Sequence, residues 1–176
     1  MSKAYVLIAN ESGKEDSVIS NLNRIESIKE AHGTYGAYDI LTKLESKDEH
    51  AIEVDIANKI RKVQKIYSTL TLWVNEKEGF RKITKIEKEV LEKYMARAFV
   101  MIHCNRSHEQ EILQELRKIT EITEADSVIG PFEIICQIAA PTYQDISDIV
   151  SKKLRKITNI KSTITLNAVS NQGFTK

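Results

Sequence analysis

The chain has 176 residues and a net charge of +1. It is long enough for one large domain or two small ones, and too neutral for a broad basic surface that would grip nucleic-acid phosphates or anionic lipid. Two cysteines, Cys104 and Cys136, exclude a disulfide framework, and no apolar run is long enough to span a bilayer, so a cytoplasmic protein is expected.

The first segment, Ala4-Tyr5-Val6-Leu7-Ile8-Ala9, is rich in branched and aromatic residues and predicts a strand. A helix is expected over 12–24, where Val18, Leu22 and Ile25 recur at spacings of four and three. Ser12 followed by Glu15 reads as its capping box. A second strand ends at Gly36, which can take the positive φ of a tight reversal. A third strand follows from Ala37. A second helix is expected over 48–63, with Ile52, Ile56 and Ile60 four apart. Ser68-Thr69-Leu70-Thr71-Leu72 belongs to a fourth strand. The order β-α-β-β-α-β is that of the ferredoxin-like unit, two helices on one face of a four-stranded antiparallel sheet.

The same order then returns 94 residues later. Gly36-Ala37-Tyr38-Asp39-Ile40 falls on Gly130-Pro131-Phe132-Glu133-Ile134, and Ser68-Thr69-Leu70-Thr71-Leu72 on Ser162-Thr163-Ile164-Thr165-Leu166. About 20 of the roughly 73 pairs between 4–76 and 98–170 are identical without a gap, too many for chance, so the chain reads as a duplicated domain. The second copy predicts elements at 98–104, 107–118, 122–128, 132–139, 143–154 and 161–169. Between the copies, 77–97 is expected as an amphipathic connecting helix starting near Gly79, and 171–176 as a tail. The strands do not alternate apolar with polar, as a sheet with one wet face would. The expected fold is therefore α+β: tandem ferredoxin-like βαββαβ domains packed sheet-to-sheet as an intramolecular pseudo-dimer.

The Gly-x-aromatic-acid-apolar hairpin, followed some thirty residues on by a Thr-x-Thr strand, resembles the effector-binding (RAM) domain of the Lrp/AsnC family of prokaryotic regulators. The resemblance covers nearly all of both copies. It implies a stand-alone sensor of a small molecule, an amino acid above all, that modulates transcription. The implied ligand-binding residues are Gly36, Tyr38, Asp39, Thr69 and Thr71 in copy one, and Gly130, Glu133, Thr163 and Thr165 in copy two. A carboxylate can accept from an α-ammonium, and threonine hydroxyls can donate to an α-carboxylate. The same residues also have a structural reading, since threonine favours strands and an acid can cap a turn. Copy two differs: Glu133 is longer than Asp39, and Pro131 removes an N–H. Copy one is thus expected to hold the better site.

Typical members carry a helix-turn-helix before this domain. The sequence opens three residues ahead of its first strand, so no direct DNA binding is expected, and action on transcription would pass through self-association or association with helix-turn-helix-bearing relatives. No cofactor, no membrane contact and no enzymatic activity are expected, because the helix-facing positions read as solid aliphatic core. A pure interaction module and a ferredoxin-like barrel enzyme are the alternatives. His103, Cys104 and His108 lie close in sequence and form a candidate metal set, although His103 and Cys104, as strand neighbours, point to opposite faces.

Overall fold

The computed structural model describes residues 1–176. The chain forms two compact units: unit 1 comprises Met1–Val74 with Asn171–Lys176, and unit 2 comprises Asn75–Ser170.

Unit 1 contains β1 (Ser2–Asn10), α1 (Glu15–Leu22), β2 (Ile28–Tyr35), β3 (Ile40–Ser46), α2 (Glu49–Asn58) and the first part of β4 (Ile66–Arg81). Unit 2 contains the end of β4, α3 (Lys85–Tyr94), β5 (Ala96–Cys104), α4 (Glu109–Lys118), β6 (Ile122–Ile129), β7 (Ile134–Ala140), α5 (Tyr143–Lys152) and most of β8 (Ile160–Thr175). The strand order is β4-β1-β3-β2 in unit 1 and β8-β5-β7-β6 in unit 2. The two ladders are the same ladder. Val6 pairs with Thr42 on one side and Thr71 on the other, and Val100, 94 residues on, pairs with Cys136 and Thr165. Even the irregularities repeat: β1 bulges at Ala9/Asn10 and β5 at His103/Cys104.

In each unit the helices bury their apolar stripe on one face of the sheet. Val18, Leu22, Ile52, Ile56 and Ile60 pack on Val6, Ile8, Ile28, Ile40 and Leu44 in unit 1. Ile112, Leu116, Ile146, Val150 and Leu154 pack on Val100, Ile102, Ile122, Ile134 and Ile138 in unit 2. The alternate strand residues Tyr5, Leu7, Leu41, Phe99, Met101 and Ile135 are buried as well, so neither face of either sheet is wet.

Several boundaries differ from those the sequence predicts. α1 starts at Glu15, not Ser12, and Lys14 is its N-cap without a side-chain bond. Gly13 takes φ +81° and turns the chain after Ser12, so that hydroxyl cannot cap the helix. Glu15 instead accepts from the Gly13 N–H and from Asn10 Nδ2, each at 3.3 Å. α2 ends at Asn58, and a 3-10 turn over Ile60–Lys62 finishes what reads as one helix.

The larger correction concerns 77–97 and 171–176. The connector is not helical from Gly79: β4 continues to Arg81, and α3 begins only at Lys85, behind the capping box of Thr84 and Glu87. Nor is 171–176 a tail, because β8 runs to Thr175. Each extension belongs to the unit of the opposite copy. In unit 1 the Lys176 N–H donates to the Lys29 carbonyl at 2.8 Å, beside β2; in unit 2 the Lys82 N–H donates to Thr123 at 2.9 Å, beside β6. Gly173 and Gly79 let these arms lie close. A Cβ would stand 2.3 Å from the Ala31 carbonyl oxygen in the first case and 2.6 Å from that of Ala125 in the second, and both glycines have positive φ. Phe174 and Phe80 then close the helix-side cores. Lys176 and Lys82 each donate through Nζ to a main-chain carbonyl just past a helix, at Ile25 after α1 (2.8 Å) and Ile119 after α4 (2.6 Å). Burial lowers the pKa of both lysines. The repeat thus extends through Gly79-Phe80-Arg81-Lys82 and Gly173-Phe174-Thr175-Lys176, still 94 apart.

Candidate functional site

The β2–β3 hairpin of unit 1 reverses at Gly36, whose φ of +138° favours glycine. The Thr34 N–H donates to the Asp39 carbonyl and the Thr34 hydroxyl to the Tyr38 carbonyl, both at 2.8 Å. These bonds set the acid beside the end of β1. There the bulge takes the Asn10 N–H out of the regular ladder, and Asp39 Oδ2 accepts it at 2.9 Å, while the Asp39 N–H donates to Ile8 at 2.9 Å. Asp39 and Tyr38 are partly buried and Gly36 is exposed.

Unit 2 repeats the arrangement with a longer acid. Gly130 has φ +152°. Glu133 Oε2 accepts from the Cys104 N–H at 3.0 Å, and the Glu133 N–H donates to Ile102 at 3.1 Å. One difference matters. His103, where unit 1 has Ala9, places Nδ1 3.3 Å from Glu133 Oε2 and stacks its ring on Phe132 with centroids 4.5 Å apart. The Asp39 side carries no such lid. The acid of the hairpin therefore has a structural duty in both units: it holds a bulge N–H on the neighbouring strand, and does not cap its own turn.

Thr69 and Thr71 lie on β4, opposite Ile8 and Val6 of β1. Directly paired residues of an antiparallel ladder share a face, so both threonines stand on the helix side. Thr69 Oγ1 accepts from Arg61 Nε at 3.2 Å, and Thr163 Oγ1 from Arg155 Nε at 3.0 Å, a repeated pair. Thr165 occupies on β8 the position of Thr71. Thr71 Oγ1 is buried and has no hydrogen-bond partner, and neither has Asn10 Oδ1. An unmade bond of this kind costs about 1–3 kcal/mol. Asp39 and Thr69 flank β1 on opposite sides, about 10 Å apart across two strand spacings, and Thr71 lies two residues farther along β4. Asn10 is the member that sequence reasoning missed. Its only signal is a polar residue closing an apolar strand.

His103, Cys104 and His108 do not converge on one ligand point. His103 faces Glu133, while His108 Nδ1 lies 3.4 Å from Glu111. Burial and the neighbouring Glu133 push the Cys104 thiol up to about 11, and burial pushes Cys136 up to about 12. Neither supplies thiolate at neutral pH. We expect no labelling of either cysteine by Ellman's reagent at pH 8 in the native protein, and two equivalents after denaturation; rapid native labelling would contradict the burial.

No helix is long and apolar enough to cross a membrane. Residues 97–173 match the family model of the Lrp/AsnC ligand binding domain. A curated relative, the uncharacterized HTH-type transcriptional regulator PH0140 of Pyrococcus horikoshii, is 27% identical over 121 residues, 66% of this chain and 77% of the relative. The crystal structure of FFRP-DM1 is 34% identical over 42% of this chain and 97% of its own, with a TM-score of 0.40. The siroheme decarboxylase NirDL shares the fold across 99% of this chain and 72% of its own, with a TM-score of 0.73 at 10% identity. Residues 97–173, whose strands and bulge recur in unit 1, belong to the Lrp/AsnC ligand-binding domain family.

Proposed function

We propose that the chain is a cytoplasmic effector sensor that takes a small amino-acid-like molecule at the end of β1 in unit 1, and that it acts on transcription by associating with helix-turn-helix-bearing relatives rather than by binding DNA itself. The observation that carries the site is the buried, unpartnered Thr71 hydroxyl on the Thr-x-Thr strand. A native protein seldom leaves such an atom unsatisfied unless something binds there. Asn10 Oδ1 and Asp39 supply acceptors for an ammonium group, Thr71 a hydroxyl for a carboxylate, and Gly36 and Tyr38 the wall. Because Thr71 pairs with Val6, four residues or about 13 Å along β1 from Asn10, the effector is an elongated one whose ammonium group meets Asn10 and Asp39 and whose acid group reaches Thr71. Unit 2 binds more weakly, since His103 already engages Glu133. The near-neutral net charge supports the absence of autonomous DNA binding. The aliphatic packing of the helix-covered face supports a binding role over catalysis.

Thr71→Val tests the site without disturbing the bulge. It removes a buried unsatisfied group, so the unliganded protein should gain about 1–3 kcal/mol, a rise in melting temperature of roughly 2–10 °C. In a calorimetric screen of the amino acids, the one that binds wild type should bind Thr71→Val about 10- to 150-fold more weakly. A variant that binds as well as wild type removes Thr71 from the site. If no amino acid binds wild type, the effector reading gives way to a pure interaction module.

A further inference from the structure

Between Ile56 and Asn75 the chain carries four cations, Lys59, Arg61, Lys62 and Lys65, and no acid. The segment runs from the end of α2 through the 3-10 turn at Ile60–Lys62 into β4, so it includes Thr69 and Thr71. Two of the cations already have an acid: Lys59 lies 2.6 Å from Asp55 and Lys65 3.2 Å from Glu11. Arg61 has none. It is exposed, and the Thr69 hydroxyl engages only its Nε, so the Nη fork is left to solvent. The same nitrogen of Arg155 engages Thr163 in unit 2. In a repeat where most positions have changed, both residues and their bond are kept, although an exposed arginine on a turn has no packing role that demands it.

We propose that Arg61 is the counter-charge for the effector's acid group, and that through it the site takes a free carboxylate and rejects the corresponding amide. This rests on the effector reading above. An acid group that reaches the buried Thr71 hydroxyl leaves water, and that hydroxyl donates only one hydrogen bond. The charge that remains needs a cation. Thr69 and Thr71 alternate along β4, so they share a face about 7 Å apart. A carboxylate that accepts from Thr71 on one oxygen and from an Arg61 Nη on the other bridges about 7–8 Å, which matches. Thr69 anchors the guanidinium at one end of that span and leaves its planar fork for the ligand. Lys62, on the same turn, has the charge without the anchor.

A hydrogen bond at each end of the roughly 13 Å between Asn10 and Thr71 leaves about 7 Å between the effector's charged groups. ε-Aminocaproate has that length when extended, and ε-aminocaproamide is the same molecule without the acid charge. Calorimetric titration of the full chain with each compound tests the proposal. Wild type should bind the acid about 10- to 150-fold more tightly than the amide. Arg61→Met should erase that preference by weakening the acid alone, with the amide unaltered, and Arg61→Lys should restore part of it, since an ammonium keeps the charge and loses the fork. Lys62→Met, which removes the same charge from the same turn, should bind both compounds as wild type does. Arg61→Met that still prefers the acid overturns the proposal; if Thr71→Val weakens the same titration, the effector reading stands without Arg61. An equal loss of acid and amide in Arg61→Met assigns the arginine to the fold and overturns the proposal too. Wild type that binds neither compound overturns both the proposal and the elongated effector.

Discussion

Deleting Asn171–Lys176 should lower the stability of unit 1 by about 2–4 kcal/mol and its melting temperature by roughly 5–15 °C. These six residues are the strand beside β2. Their loss removes the Lys176 bonds to Lys29 and Ile25, uncovers the core beneath Phe174 and leaves β2 as an open edge. The deletion should also raise the tendency to aggregate on heating, because an unpaired edge templates other strands. Gly173→Ala should reach a comparable loss by another route. Its Cβ would stand 2.3 Å from a backbone oxygen, which cannot rotate away as a side chain could, and a φ of +156° strains any L-residue. Gly79→Ala should do the same to unit 2, with its Cβ 2.6 Å from the Ala125 carbonyl. Two-wavelength thermal melts of the three variants would check this. Melting curves that superpose on wild type would show that the arms contribute no stability.

Arg81→Met should cost unit 2 about 3–5 kcal/mol, because it takes the guanidinium from two buried acids. Arg81 donates to both oxygens of Asp126, at 2.9 and 2.8 Å, and its Nε lies 2.9 Å from Glu124. Glu124 and Asp126 are 6% and 4% exposed. Removing the guanidinium leaves Glu124 with Lys88 at 3.6 Å and takes two charge-assisted hydrogen bonds from Asp126. Arg81→Lys should fall between, since an ammonium keeps the charge and loses the bidentate geometry. Urea unfolding of the two variants would measure the difference. Equal midpoints for Arg81→Met and wild type would mean that the acids carry no buried charge. The first copy solves the same problem differently. Thr175 stands where unit 2 has Arg81, and Glu30 and His32 where it has Glu124 and Asp126, with Glu30 Oε2 3.3 Å from His32 and its Oε1 3.9 Å from Lys43. The ion pairing therefore diverged while the backbone stayed.

The sequence by itself determined the duplication, the β-α-β-β-α-β order of each copy, the hairpin glycines and the family. Those features rest on local signals: apolar residues at period two or 3.6, a glycine where φ must be positive, and a repeat without gaps. Through the family resemblance it also marked Thr71 as an implied ligand-binding residue. Tertiary structure decided three things. The arm residues 77–81 and 171–176 read as connector and tail because strand pairing is non-local. Polar residues such as Lys77, Glu78, Asn171 and Gln172 are admissible in a strand once β6 or β2 lies beside them. Even so, the repeated Gly-Phe-x-Lys at 79–82 and 173–176 was a sequence signal for it. The charge of Asp39 turned out to hold a bulge N–H, and a bulge is a register event between two strands, invisible in either strand alone. Last, periodicity located the apolar stripe of α3 but not the direction it faces. Lys88 and Glu92 set that direction, because each finds an opposite charge on unit 2, and ion pairs formed across elements fix an orientation that hydrophobicity along one helix leaves undetermined.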